Sequence, residues 1–178
     1  MPDIASVSSG ATIAGINSTN ETWWDNERNN ATSDTSFKTA AGDSYEGLLR
    51  MRGLWNSVSE GNDKPDIIIT NFTVGGNYED IFEGKGFLRI SPKDKADLDG
   101  SDPAYRGVPV TFDRDCGSGL MYMLQSKYLK FKVQAGLNFA KTPFREPANQ
   151  LAKVAFIVLG AQLTTNNRRR QGVIYNLA

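Results

Sequence analysis

From Gly107 onward the chain keeps returning to a period of two, and that period commits this region to sheet. Val108, Val110 and Phe112 share one face. Asp113 to Gly119 supplies turn residues, after which Leu120, Tyr122 and Leu124 alternate again. Leu129, Phe131 and Val133 point one way while Lys130 and Lys132 point the other, which predicts a half-buried strand. Lys141 to Pro147 reads as a loop with two prolines, Gln150 to Leu163 as a long strand and Gly172 to Leu177 as a last one.

The middle of the chain carries the helical signals. Asp43 with Glu46 three residues on has the form of a capping box. Tyr45, Leu48, Met51, Trp55 and Val58 follow at helical spacing, Gly61 is a natural stop and Pro65 prevents continuation. Asp66-Ile-Ile-Ile-Thr70 predicts a strand covered on both faces. Thr70 or Asn71 can cap a second helix through about Phe82, which Gly75-Gly76 weakens. Phe87 to Ile90 can form another strand, and 91–103 is a polar loop containing Asp97, Asp99 and Asp102. The sum is α+β, with two helices beside a mostly antiparallel sheet. Residues 1–42, rich in Ser, Thr, Asn and Gly, read as an extended or mobile arm preceding a single domain over 43–178. Trp23 and Trp24 interrupt that arm and need a docking place, on their own domain or on a neighbour.

Composition narrows the chemistry. The 178 residues suffice for one ordinary core, and 20 basic residues cancel 20 acidic ones, so net charge points to no nucleic-acid or membrane partner. The charge is unevenly placed: residues 1–100 hold 9 Lys/Arg against 16 Asp/Glu, and residues 101–178 hold 11 against 4. One cysteine excludes an internal disulfide framework. Without histidine, the usual triads, most zinc sites and the commonest general base are missing. Met1-Pro-Asp-Ile shows no secretory leader, and the longest apolar run, Val154 to Leu159, is far too short for a membrane span.

Four local patterns invite chemistry and lead nowhere firm. Asp113, Asp115 and Cys116 cluster in a turn, with no histidine to activate the thiol. As a carboxylate pair, Asp113 and Asp115 keep a hydrolase reading open. Asp97-Leu-Asp99-Gly100-Ser-Asp102 lacks the register of a calcium loop, and Gly84-Lys-Gly86 lacks the rest of a nucleotide motif. Arg168, Arg169 and Arg170 form the strongest charge feature, open to pairing with carboxylates, solvent exposure or phosphate contact.

Several ordered segments carry a family resemblance. Trp23-Trp24 follows Gly15-Ile-Asn17, and Pro65-Asp-Ile-Ile-Ile-Thr70 leads into a short helix. Gly107-Val-Pro-Val-Thr-Phe-Asp-Arg-Asp-Cys116 precedes a strand, Ser126-Lys-Tyr-Leu-Lys130 follows, and Asn167-Arg-Arg-Arg-Gln-Gly-Val173 stands near the end. Together they resemble the C-terminal part of a tailed-bacteriophage major capsid protein of the Hong Kong 97 type. The resemblance implies an axial lobe plus part of a peripheral lobe, with the strands at 150–163 and 172–177 returning to the peripheral one. It implies no enzyme, no cofactor and no metal. It implies a virion location after a time in the host cytoplasm, and as partners copies of the chain itself in hexamers and pentamers. Portal, scaffold or decoration proteins are further partners of such subunits. Another virion component, such as a decoration or head-completion protein, is the alternative. Trp23, Trp24, Asp97, Asp99, Asp102, Arg168, Arg169 and Arg170 are the candidate interface residues, the acidic loop and the arginines as opposite sides of one contact. The N-terminal arm, hairpin loop and spine helix that usually precede this region in the family have no counterpart in the sequence.

Overall fold

A computed structural model describes residues 4–10, 12–31, 37, 46–84, 103–148 and 151–177, with the backbone alone at 82–84. The expected strand at 87–90, the acidic loop up to Asp102 and the cap at 43–45 lie outside these residues. The chain divides into two compact units, one built from residues 1–128 and 167–178 and the other from 129–166.

The first unit holds a six-stranded mixed sheet. In chain order its first pieces are a hairpin of β1 (Thr12–Ile13) and β2 (Ile16–Asn17), then β3 (Glu27–Asn30), α1 (Glu46–Val58), β4 (Ile67–Thr70) and α2 (Phe72–Gly84). There follow β5 (Ala104–Tyr105), β6 (Val108–Phe112) and β7 (Met121–Leu124). The second unit contributes β8 (Leu129–Val133), β9 (Ala140–Lys141), β10 (Ile157–Val158) and β11 (Ala161–Thr165), before β12 (Gly172–Tyr175) returns to the first. The sheet order is β3-β12-β7-β4-β6-β5. Pairs β3–β12 and β4–β6 are parallel, and the other three are antiparallel.

Register explains the core. Ile174, Met121, Met123, Ile68 and Val110 fall on one face, and all five are buried under the two helices. From α1, Met51, Trp55 and Val58 enter this core, as the helical spacing predicts, and Leu54 joins them. Each such side chain stabilises the fold by about 1.5–3 kcal/mol through apolar burial. α1 lies close over β12: a Cβ on Gly172 would stand 2.8 Å from a Leu54 methyl. α2 lies equally close to β6, where a Cβ on Gly75 would meet the Phe112 ring at 2.5 Å. The glycine that weakens the helix locally is what lets it approach the sheet. Asn71 caps α2, its Oδ1 accepting the Val74 N–H at 2.9 Å. Gly61 stands beyond the end of α1, in the turn that pairs Glu60 with Asp63.

Three expectations for the first unit change. The segment read as an arm supplies β3, an edge strand held by backbone pairing to β12. Its Glu-Arg-Asn-Asn sequence carries no apolar alternation, so composition could not reveal it. β7 is buried at every residue instead of alternating, because it lies between β12 and β4 near the sheet centre. The terminal strand, placed by the resemblance with the peripheral lobe, pairs with β7 and β3 in the first unit.

The second unit is a two-stranded ribbon. β8 pairs with β11 and β9 with β10, both antiparallel. Hydrogen bonds continue between these ladders, from Gln134 N–H to the Gly160 carbonyl at 2.8 Å and from Gly160 N–H to the Leu137 carbonyl at 2.9 Å. The stretch read as one long strand is thus two short ones broken at Leu159 and Gly160.

Candidate subunit interface

The three consecutive arginines do three different things. They form a short 3-10 turn at 168–170, and such a tight turn sends successive side chains in different directions. Arg168 is fully buried, at 0% exposure. Its guanidinium donates to the Ile4 carbonyl at 3.3 Å, the Trp24 carbonyl at 3.3 Å and Asn26 Oδ1 at 2.9 Å. It joins the N-terminal segment to the C-terminal turn inside one chain, which removes it from the candidate interface. Arg170 is largely covered, donates to the carbonyl ending α1 at Val58 and pairs with Glu60. Arg169 projects outward, 3.6 Å from Glu27 at a largely open site.

The tryptophans also separate. Trp24 is buried and packs edge-to-face on Trp23 at 5.7 Å. Trp23 is 55% exposed, its indole N–H donating to Glu21 at 2.6 Å. Of the pair, Trp24 is an internal anchor and Trp23 the outward one. Asn26 steadies this corner by accepting from the Ser6 N–H and donating to the Ser6 carbonyl, both at 3.0 Å. Asp25 is held below the usual carboxylate range chiefly by its hydrogen bond to Arg28. Asp97, Asp99 and Asp102 lie outside the described residues, so the acidic side of the expected contact has no geometry here.

Two glutamines tie the strands that leave for the ribbon and return from it. The Gln125 N–H donates to Gln171 Oε1 at 3.0 Å, and Gln171 Nε2 donates to the Gln125 carbonyl at 3.2 Å. Gln125 Nε2 also reaches the Val58 carbonyl at 2.9 Å, satisfying an end of α1. Asp63 accepts from Lys127 at 2.8 Å and from the Tyr128 hydroxyl at 2.6 Å, which lowers its pKa.

The Asp113–Cys116 turn offers little chemistry. Asp113 Oδ1 accepts the Asp115 N–H at 2.9 Å, ordinary turn bonding. Burial pushes the Cys116 thiol up, and Asp113 adds to the effect, the opposite of an activated nucleophile. Among the described residues, no group of three acidic, cysteine or histidine side chains is placed to hold a metal. No described helix is long and apolar enough to cross a membrane.

The surface that sequence reasoning missed is the ribbon. Phe131, Phe156 and Ile157 are 66%, 65% and 71% exposed. Phe139 and Phe144 are exposed as well. Alternation located the apolar face of β8 correctly but predicted a burial that it does not have among the described residues.

The fold matches a known architecture. Over 95% of its length the chain superposes on a chain of the cyanophage A-1(L) capsid asymmetric unit, with a TM-score of 0.61 and 16% sequence identity. The fold is the Hong Kong 97-type capsid fold. A second structure, the holo-SrpI encapsulin complex from Synechococcus elongatus, matches 71% of the chain at 17% identity with a TM-score of 0.49. The chain spans 56% of the cyanophage chain and 48% of the encapsulin chain. No protein-family profile matches it, and no curated protein sequence does.

Proposed function

We propose that this chain is a coat subunit of a phage or prophage head, or the C-terminal portion of one, and that it acts by self-association rather than by catalysis. The observation that carries this reading is the capsid fold across 95% of the chain. The first unit corresponds to the axial lobe, and the ribbon to part of the peripheral one. The mechanism is geometric: a repeated heterologous contact closes into rings, and small changes of angle between copies allow curvature. Trp23 and Arg169 serve as contacts between copies, with the 91–103 loop as the acidic surface that Arg169 meets. The partners are further copies in hexamers and pentamers, together with portal, scaffold or decoration proteins. The location is the virion shell, reached from the host cytoplasm.

Light scattering on the purified chain after size exclusion tests the proposal. Masses that are multiples of the subunit and grow with concentration support it. A protein that stays monomeric by itself but binds preformed shells is a decoration or head-completion component instead.

A further inference from the structure

The ribbon is amphipathic in a way its own unit does not resolve. Register puts Phe131 opposite Leu163 and Val133 opposite Ala161 on one face. Lys130 and Lys132 lie opposite Thr164 and Gln162 on the other. Phe131, Val133 and Leu163 are all exposed. Two strands alone are marginal in water, and an apolar face on such a ribbon calls for a second layer. The ribbon is also basic. Residues 129–166 hold 5 Lys/Arg and 1 Asp/Glu, whereas the rest of the chain holds 15 and 19. Unlike charge therefore sits on the two units of every copy.

We propose that the Phe131–Leu163 face of the ribbon docks on the acidic first unit of a second copy. This inference rests on the coat reading and names the surface that self-association uses. The apolar face supplies contact area, and the net charges of +4 and −4 favour ribbon against first unit over ribbon against ribbon. Such a contact is heterologous, the kind that closes rings. The lysines of the opposite face stay in water, so the desolvation cost of burying ammonium groups is avoided. The first unit also exposes apolar side chains, Leu49 on α1 and Phe72 on α2.

The test compares the wild-type chain, the double variant Phe131→Thr with Leu163→Thr, and Gln162→Thr, an uncharged change on the opposite face. Threonine keeps strand propensity while removing the apolar surface. Sedimentation of each over a concentration series gives the threshold for association, and hydrogen exchange gives the protection of 129–133 and 161–165. The expected result is a threshold raised about tenfold or more in the double variant, with Gln162→Thr close to wild type. Ribbon amides should be protected only in associated material. Association of the double variant at the wild-type threshold overturns the docking surface and leaves the coat reading standing. A wild-type chain that stays monomeric at every concentration overturns both. Protection of the ribbon in monomers shows a cover within the chain and overturns the second copy as its occupant.

Discussion

Arg168 and Arg169 are neighbours in sequence with opposite fates. Arg168 donates to two backbone carbonyls and Asn26, all buried with it. Arg168→Met should cost about 3 kcal/mol or more, because each stranded buried acceptor costs about 1–3 kcal/mol. Urea denaturation followed by tryptophan fluorescence measures this, since Trp24 sits at the site. Arg169→Glu faces solvent beside Glu27 and should move stability by no more than about 0.5 kcal/mol. The same substitution should weaken association, and unchanged association would remove Arg169 from the interface. Tyr78 offers a separate check. Burial raises its phenol from an ordinary 10.0 to about 12, so folding favours the protonated form. Its contribution is complete below pH 10.0 and is lost as pH climbs toward about 12. An ultraviolet titration of the native chain should show several late-ionising tyrosines, Tyr122 and Tyr128 being raised as well, and Tyr78→Phe should remove one of them.

Among the elements, α2 joins local and tertiary demands most clearly. Asn71→Ala should cost about 1 kcal/mol by stripping the Val74 N–H of its partner. Gly75→Ala drives a methyl into the Phe112 ring and should cost about 1–3 kcal/mol. Gly76→Ala meets nothing within 4 Å and should stabilise by about 0.5–1 kcal/mol, since alanine is the better helix former. Thermal melts of the three variants decide the ordering. Elements of this kind were legible because their signals are local: the apolar stripe of α1, the Ile67–Ile69 run of β4 and the Asn71 cap. β3 was not, because a Glu-Arg-Asn-Asn strand is recruited by backbone pairing with β12, more than 140 residues away in sequence. β8 was half legible. Its period gave the face, but a period cannot say whether anything covers that face. The candidate site was legible as residue types, while the split between Arg168 inside and Arg169 outside depends on the direction of a 3-10 turn.

At the scale of the whole molecule, the two units bury their side chains very differently. The first unit encloses a core under two helices, and the second shows aromatic and aliphatic side chains to solvent along a ribbon. That asymmetry is what the proposed docking of one copy on another requires, and the fold that spans the chain is the capsid one. On that proposal stability depends on concentration, because association adds to the folding free energy of each copy. Melting temperature should therefore rise with protein concentration, and Phe131→Thr with Leu163→Thr should flatten that dependence. The most direct measurement is negative-stain electron microscopy of the wild-type chain across a concentration series. Rings, curved sheets or shells of repeating subunits are the result this account expects. Isolated particles of a single subunit's size at every concentration would contradict it.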